Sequence, residues 1–383
     1  MILQNDFKRQ WEVVQDAVMG AVRRVGASGS YILGEEVRRF EETLAHLWGV
    51  SHAIGVANGM DAIEIGLRCL DVRRGDKVLT TPLSAFATTL AIIRAGGIPV
   101  FVDVDDLGRI DLSQCRDVLK RNDAIRFLVP VHLYGFPLDL ADLAALRDEF
   151  ELRIVEDCAQ AIGASSSGIG VGTIGQVAAT SFYPTKNLGA MGDGGALLTN
   201  NPEIAERAQV LRNYGQSGPY LHSELGLNSR LDELHAAILH DAFLPNLEKW
   251  ARARRRTAES YLDEIKNPAI ELPSPSVNRK CAWHLFPAKI APAARENFRH
   301  YLRAKEIGTG VHYPHIIPAQ RALQQTGLFE VAVEPVNARC WTESETSLPI
   351  HPMLDEDEIG AVIDACNAWK SGSPPARNDA AIL

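Results

Sequence analysis

Between about residues 50 and 200, short apolar runs alternate with longer amphipathic ones, and this alternation constrains the fold more than any other feature of the chain. Ala53–Val56 reads as a strand and Gly59–Leu70 as the helix that follows it. Lys77–Thr80 and Phe86–Arg94 repeat the pair. Strands at Ile98–Val102, Phe127–Val131 and Leu152–Glu156, with a helix at Leu140–Phe150, continue the series. Strands joined through helices build an α/β fold with a mostly parallel central sheet and helices on both faces. Ligands of such sheets sit at the carboxyl ends of the strands. The places to look for chemistry are therefore Asn58–Gly59, Thr81–Phe86, Asp157–Gln160 and the turn after Phe182.

At 383 residues the chain has room for one large domain and a smaller one. Pro273 and Pro275 mark the break into the smaller unit. The expected organisation is a large N-terminal domain over 1–249, a small C-terminal domain over 250–370, and a flexible tail, SGSPPARNDAAIL, over 371–383. Ser229–Leu244 reads as a helix, with Ser229 and Asp232 forming a capping-box-like start and Leu231, Leu234, Ile238 and Phe243 an apolar face. The net charge of −9 is spread along the chain, without the basic stripe that nucleic acid requires. No stretch reaches ~18 uninterrupted apolar residues, as a membrane span would. The opening MILQNDFKRQW lacks the apolar run of a signal peptide. None of the six cysteines forms a CxxC pair, and they read as reduced thiols. The expectation is a cytoplasmic protein with neither nucleic acid nor membrane as partner.

Several motif-like signals do not carry the chemistry. Gly170-Val-Gly172-Thr-Ile-Gly175 satisfies GxGxxG, but a dinucleotide fingerprint needs a strand before it and a helix after it. Here Ser165–Ser167 precede it and the strand-like AATSFY follows, so a glycine-rich surface hairpin is expected. His235 and His240 are five residues apart and do not share a helix face as a metal-binding pair would. His312 and His315 lack a third ligand, so no metal site is expected. Arg252–Arg256 reads as a solvated helix face.

Two segments together carry more. Asp157 and Gln160 follow directly on the apolar strand Leu152–Val155. Alone, such an aspartate reads as a turn or cap residue. Ser181-Phe-Tyr-Pro-Thr-Lys186 then runs from a strand through a proline break to a lysine, followed by glycine-rich chain through Gly195. An aspartate that can pair with a pyridinium nitrogen, and a lysine that can form an imine, are the two groups pyridoxal phosphate requires. Gly59 and Met60 open a helix straight after a strand, where free N–H groups suit a phosphate. Phe86 lies after the next strand, where an aromatic can stack on a flat cofactor or simply join the core.

At these residues the chain resembles the DegT/DnrJ/EryC1/StrS family of sugar aminotransferases over about residues 5–370. The stretches ANGMDAIEIGLRCL, IVEDCAQAIGA, SFYPTKNLGAMGDGGALLTN and GLNSRLDELHAAIL carry the resemblance. It implies the aspartate aminotransferase fold (type I) and pyridoxal 5'-phosphate as cofactor. Lys186 would carry the cofactor as a Schiff base and act as base, and Asp157 would hold the pyridinium nitrogen. Gln160 would meet the ring hydroxyl, Phe86 would stack on the ring, and Ser181 with the Gly59 and Met60 amides would bind the phosphate. Asn228 would reach the phosphate of a neighbouring subunit, implying a homodimer with shared sites. The segment containing His312 and Tyr313 resembles the one that closes over the sugar, and Tyr183, Tyr220 and Arg230 join it as expected substrate contacts. The implied reaction moves an amino group from glutamate to a nucleotide-linked keto-sugar, giving an amino sugar. The Asn-Gly-Met-Asp loop points to a 3-keto rather than a 4-keto acceptor. A pyridoxal-phosphate-binding regulatory protein without turnover is the reading from another class, and intact Lys186, Asp157 and Gln160 stand against it. The chain departs from the family in two places. Cys158 replaces a small residue, and Pro219 precedes Tyr220 where many relatives carry a lysine, which leaves the diphosphate contact open.

Overall fold

The structure, a computed structural model, describes residues 1–371. The tail expected over 371–383 lies, after its first residue, outside the described residues. The N-terminal part begins with two helices, α1 (Phe7–Ser28) and α2 (Glu35–Trp48). There follow β1 (His52–Val56), α3 (Gly59–Cys69), β2 (Lys77–Thr80), α4 (Phe86–Arg94), β3 (Ile98–Phe101), α5 (Leu112–Arg121), β4 (Phe127–Val129), α6 (Leu140–Phe150) and β5 (Arg153–Asp157). A hairpin of β6 (Ser165–Ser166) and β7 (Ile169–Gly170) leads to β8 (Val177–Ser181) and β9 (Gly195–Thr199). The central sheet has eight strands in the order β1-β9-β8-β5-β4-β2-β3, closed at the β3 edge by the short strand Glu330–Val331. β9 runs against both its neighbours, and the other pairings are parallel.

Strand periodicity sorts the core into two layers. Ile54, Val56, Val78, Phe127, Val155, Val177 and Leu197 face one side, where they meet Ile63, Leu67, Ile92 and Leu211 of the covering helices. Their strand neighbours Ala53, Leu79, Leu128, Ile154, Ala178 and Leu198 face the other, against Phe40, Leu44, Leu119 and Leu143. Each fully buried aliphatic contributes about 1.5–3 kcal/mol. α3 lies closest to the sheet: a Cβ on Gly66 would come within 2.9 Å of Val177.

α7 (Leu247–Glu264) crosses the expected domain boundary as one continuous helix. Its Leu247 and Trp250 pack in the large core, and its Ala258 and Tyr261 pack in the C-terminal one. The C-terminal part forms its own three-stranded sheet from Ile270–Glu271, Phe286–Ile290 and Glu345–Leu348. Its core also takes Leu83, Val131, Tyr134 and Phe136 from loops at the carboxyl edge of the large sheet. That sharing seats the small sheet over the edge where ligands are expected. No helix among the described residues is long and apolar enough to cross a membrane.

The single helix expected at Ser229–Leu244 does not form. Ser229 is buried and its Oγ accepts a hydrogen bond from Ala57 N at 3.1 Å, so it is unavailable as a cap. Asp232 caps instead, accepting from His235 N at 2.7 Å, and the α-helix spans only Glu233–Ile238. It passes into a π-turn at Leu239–Phe243 and a 3-10 turn containing Pro245. The long helices α1, α2 and α5 were not read from the sequence.

Candidate active site

A cavity of about 620 Å³ lies at the carboxyl edge of the central sheet, roofed by the C-terminal part. Gly59, Met60, Asp157, Gln160, Ser181, Tyr183, Lys186, His312 and Tyr313 all line it.

One end is built by α3. Asn58 caps the helix by accepting from Asp61 N at 2.8 Å, which leaves the N–H groups of Gly59 and Met60 without an acceptor among the described residues. A Cβ on Gly59 would lie 2.7 Å from the Ser181 Cβ. Glycine therefore lets the helix start press against the end of β8 and brings the Ser181 hydroxyl beside the bare amides. Two unpaired amides at a helix N-terminus together with a hydroxyl are a donor set for a phosphate.

Asp157 ends β5 and is buried, with both carboxylate oxygens held. Thr88 Oγ1 donates to Oδ2 at 2.8 Å and Ala159 N donates to Oδ1 at 3.1 Å. Thr88 is itself 3.2 Å from Ser84 Oγ. Gln160 accepts from Tyr134 N at 2.6 Å through Oε1, and its Nε2 donates to the Tyr313 hydroxyl at 3.2 Å.

Lys186 sits in a tight turn after β8, where its N–H donates to Tyr183 O at 2.8 Å. The next residue, Asn187, donates to Ala282 O at 2.8 Å and lies 3.2 Å from His284 Nδ1, pinning the turn to the C-terminal part. No hydrogen-bond partner for Lys186 Nζ is present among the described residues. Burial lowers its pKa to about 8, against the opposing pull of Asp157. Burial, aided by the charge of Lys186, also holds His284 well below the usual histidine range. A lysine this close to neutrality, a held carboxylate and a phosphate cradle fit pyridoxal phosphate: Lys186 would carry it, Asp157 would pair with its ring nitrogen, and Ser181 with the α3 amides would hold its phosphate.

Sequence reasoning missed several of these groups. Thr88, Tyr134 and His284 act through contacts that only the fold creates. Gln4 and Asn5 also line the cavity, brought there because Gln4 Nε2 donates to Gly308 O and Ser347 O at 3.0 and 2.9 Å. Nothing in the sequence marked the N-terminal segment as part of the site.

Other expected residues lie elsewhere on this chain. Phe86 opens α4 and packs on the cluster of Phe101, Ile317 and Leu323, while Ala85, Ala87 and Thr88 line the cavity at that point. Asn228 is exposed and paired in an antiparallel bridge with Asn213. Arg230 donates to Asn213 Oδ1 at 2.9 Å and lies over the Tyr214 ring. Tyr220 tips the exposed hairpin of Gln216–Gly218 and Leu221–His222. His235 is paired with Asp232, and His240 with Asp241 and Thr43. The GxGxxG turn does bind an anion, but an internal one. The Gly172, Ile174 and Gly175 amides donate to the Glu156 carboxylate at 2.9, 2.7 and 2.7 Å, and His132 Nε2 lies 3.0 Å from it. Burial pushes the Glu156 pKa up, but the His132 bond and charge and the Gly175 and Gly172 amides outweigh it, for a net lowering. Beside it, burial pushes the Cys158 thiol well above its ordinary pKa, which makes it a poor nucleophile.

Comparison with known proteins agrees with this geometry. The DegT/DnrJ/EryC1/StrS aminotransferase family matches residues 13–367. The dTDP-3-amino-3,4,6-trideoxy-alpha-D-glucose transaminase of Streptomyces venezuelae is 38% identical over 366 residues, covering 95% of each chain. A pleiotropic regulatory protein of Geobacillus stearothermophilus is 37% identical over 363 residues, covering 94% of this chain and 96% of that one. The crystal structure of S. venezuelae DesV in complex with a ketimine intermediate superposes with a TM-score of 0.90 at 38% identity, covering 99% of both chains. This chain therefore belongs to the DegT/DnrJ/EryC1/StrS aminotransferase family, whose cofactor is pyridoxal phosphate.

Proposed function

We propose that the protein transfers an amino group from glutamate to the C3 carbonyl of a nucleotide-linked 3-keto sugar. The observation that carries this reading is the single cavity in which Lys186, Asp157 and the bare α3 amides converge. The likeness to a transaminase whose name places the amino group at C3 supports the choice of position. When bound, pyridoxal phosphate supplies an electrophilic carbon for the amine and a ring that takes up negative charge. The chain's own residues do the rest. The Ser181 hydroxyl and the Gly59 and Met60 amides hold the phosphate, and Asp157, steadied by Thr88 and Ala159, keeps a proton on the ring nitrogen. Lys186, brought near neutrality by burial, takes the proton from the α carbon of glutamate and returns one to C3 of the sugar. His312, Tyr313 and Tyr183 line the space left for the sugar.

Incubating the protein with glutamate and a panel of nucleotide-linked 3-keto and 4-keto sugars tests the assignment. Turnover of 3-keto acceptors is expected. Turnover of 4-keto acceptors alone would overturn the position. Failure of even the half-reaction with glutamate would favour a regulatory role, to which the likeness to the pleiotropic regulatory protein lends support.

We also propose a homodimer with shared sites, working in the cytoplasm, each chain divided into a cofactor-holding unit (1–249) and a smaller unit (250–370) that meet along α7. Asn228, Arg230 and Tyr220 lie together on one exposed segment, where Tyr220 and Leu225 are 96% and 89% exposed. Exposed apolar side chains of that kind suit burial against a second copy. Mixing Lys186→Ala and Asn228→Ala chains tests the sharing. In a mixed dimer one site carries both lesions and the other carries none, so random pairing should restore roughly a quarter of wild-type activity. No recovery, or an unimpaired Asn228→Ala homodimer, would show that Asn228 serves only its own chain.

A further inference from the structure

A chain of polar groups outside the cofactor-holding residues ends in the cavity at His312. Ser347 and Glu345 lie two residues apart on the strand Glu345–Leu348, so their side chains share a face, and neither is exposed. Ser347 Oγ donates to Glu345 Oε1 at 2.5 Å and lies 2.9 Å from His312 Nδ1. The other carboxylate oxygen, Glu345 Oε2, accepts from His312 N at 2.6 Å. The segment is held in place from both sides. Gly310 and Ser347 exchange backbone hydrogen bonds at 3.1 and 3.0 Å, and the Tyr134 hydroxyl donates to His312 O. His312 Nε2, on the opposite edge of the ring, has no partner among the described residues, and His312 lines the cavity.

A serine hydroxyl has one proton to give, so this relay has two polarities. With Glu345 ionised, Ser347 points its proton at the carboxylate and accepts from His312 Nδ1–H, leaving Nε2 as a bare acceptor. With Glu345 protonated, the carboxyl donates to Ser347, the hydroxyl turns to donate to Nδ1, and the ring proton resides on Nε2. The imidazole carries one proton in both states, and the added proton is on Glu345. We propose that Glu345 and Ser347 are positioning residues that set which nitrogen of His312 carries the proton, and so whether His312 offers an acceptor or a donor to a sugar hydroxyl. The sugar as recipient rests on the proposed function; the tautomer control does not.

Burial pushes Glu345 up to about 8 and His312 down to about 4, so the ring stays neutral while the carboxyl changes state near pH 8. The other groups facing the relay are engaged or neutral. Arg295 is tied to Thr342 O at 2.6 Å and Arg299 to Glu296 at 2.9 Å. Lys289, across the small sheet from Glu345, pairs with Glu271. Burial pushes the Tyr134 and Tyr313 hydroxyls up in pKa, and His284 is neutral. Lys186 is the exception, since its amine, when free of the cofactor, titrates in the same range as Glu345. A variant is therefore needed beside a pH series.

In Glu345→Gln the His312 N–H fixes the amide oxygen on its side, which turns the NH2 towards Ser347 and locks the low-pH polarity. The test is 15N NMR of histidine-labelled holoenzyme, with the His312 signals assigned by their loss in His312→Asn. In the wild type, Nε2–H is expected below about pH 7 and Nδ1–H above about pH 9, following the sign of the Glu345 shift. Glu345→Gln should hold Nε2–H throughout, and Ser347→Ala should remove the dependence. The KM for the keto-sugar should vary about tenfold across this range in the wild type and stay flat in Glu345→Gln, while the glutamate half-reaction keeps its pH limb. A wild-type tautomer that ignores pH overturns the proposal without needing any variant to fold. So does a Glu345→Gln tautomer that still follows pH. Failure of every sugar to react would instead sink the functional reading, because the NMR measurement needs no substrate.

Discussion

Replacing Lys186 with alanine is expected to abolish transamination while leaving the fold in place. The wild-type protein with cofactor should be yellow, and borohydride should fix the cofactor to the peptide containing Lys186. Lys186 stands in a turn whose backbone is held by Tyr183 O and whose next residue is pinned to Ala282 and His284. The side chain itself makes no hydrogen bond among the described residues, so its removal frees no partner. It removes instead a buried positive charge. The folded-state pKa is lowered to about 8 from an ordinary value of 10.5, so the charge destabilises the fold below about pH 8 and has no effect above about pH 10.5. The melting temperature of the cofactor-free Lys186→Ala protein relative to the wild type should therefore rise as the pH falls from above about 10.5 to below about 8. A label found on a different lysine, or a folded Lys186→Ala protein that still transaminates, would remove Lys186 from this role.

Much of the site was legible because it sits at strand ends. Asn58, Asp157 and Ser181 each terminate or follow a strand of the parallel sheet, and such positions meet at one edge whatever the details of packing. Their supports were not legible. Thr88 looks like any helix residue in FATTLAII, and becomes the partner of Asp157 only because β2 and β5 are separated by a single strand, β4. Tyr134 reaches Gln160 and His312 only through a left-handed turn beneath the C-terminal part, and Glu345 meets His312 only because the chain at Gly310 bridges to Ser347 on the free edge of the small sheet. The misread helix at Ser229 has the same origin. A serine, an aspartate and an apolar face satisfy a local rule, but the Ala57 amide takes the serine and a cap three residues later wins. The amides of the GxGxxG turn are built for an anion, which the neighbouring strand supplies as Glu156. Asn228, Arg230 and Tyr220 do not line the cavity of this chain.

Asp157→Asn is expected to slow the half-reaction with glutamate by about tenfold to a hundredfold. The asparagine keeps the shape of the side chain but removes the charge facing the ring nitrogen. A hydrogen bond to a charged group is worth about 1.5–3 kcal/mol, and each ~1.4 kcal/mol is a factor of ten in rate. The local fold should absorb the change. Thr88, which donates to Oδ2, has Ser84 Oγ at 3.2 Å as an alternative partner, and the Ala159 amide can still meet the amide oxygen. The variant should also reveal a second effect that a mere turn residue would not produce. Asp157 raises the pKa of Lys186 against the larger lowering by burial. With that charge gone, the neutral amine forms at lower pH, and in the cofactor-free protein the Lys186 titration should move below about 8. Slow turnover and a lowered Lys186 titration in one variant together identify a carboxylate that faces both the ring nitrogen and the lysine. Wild-type rates with an unmoved titration would reduce Asp157 to the residue that ends β5.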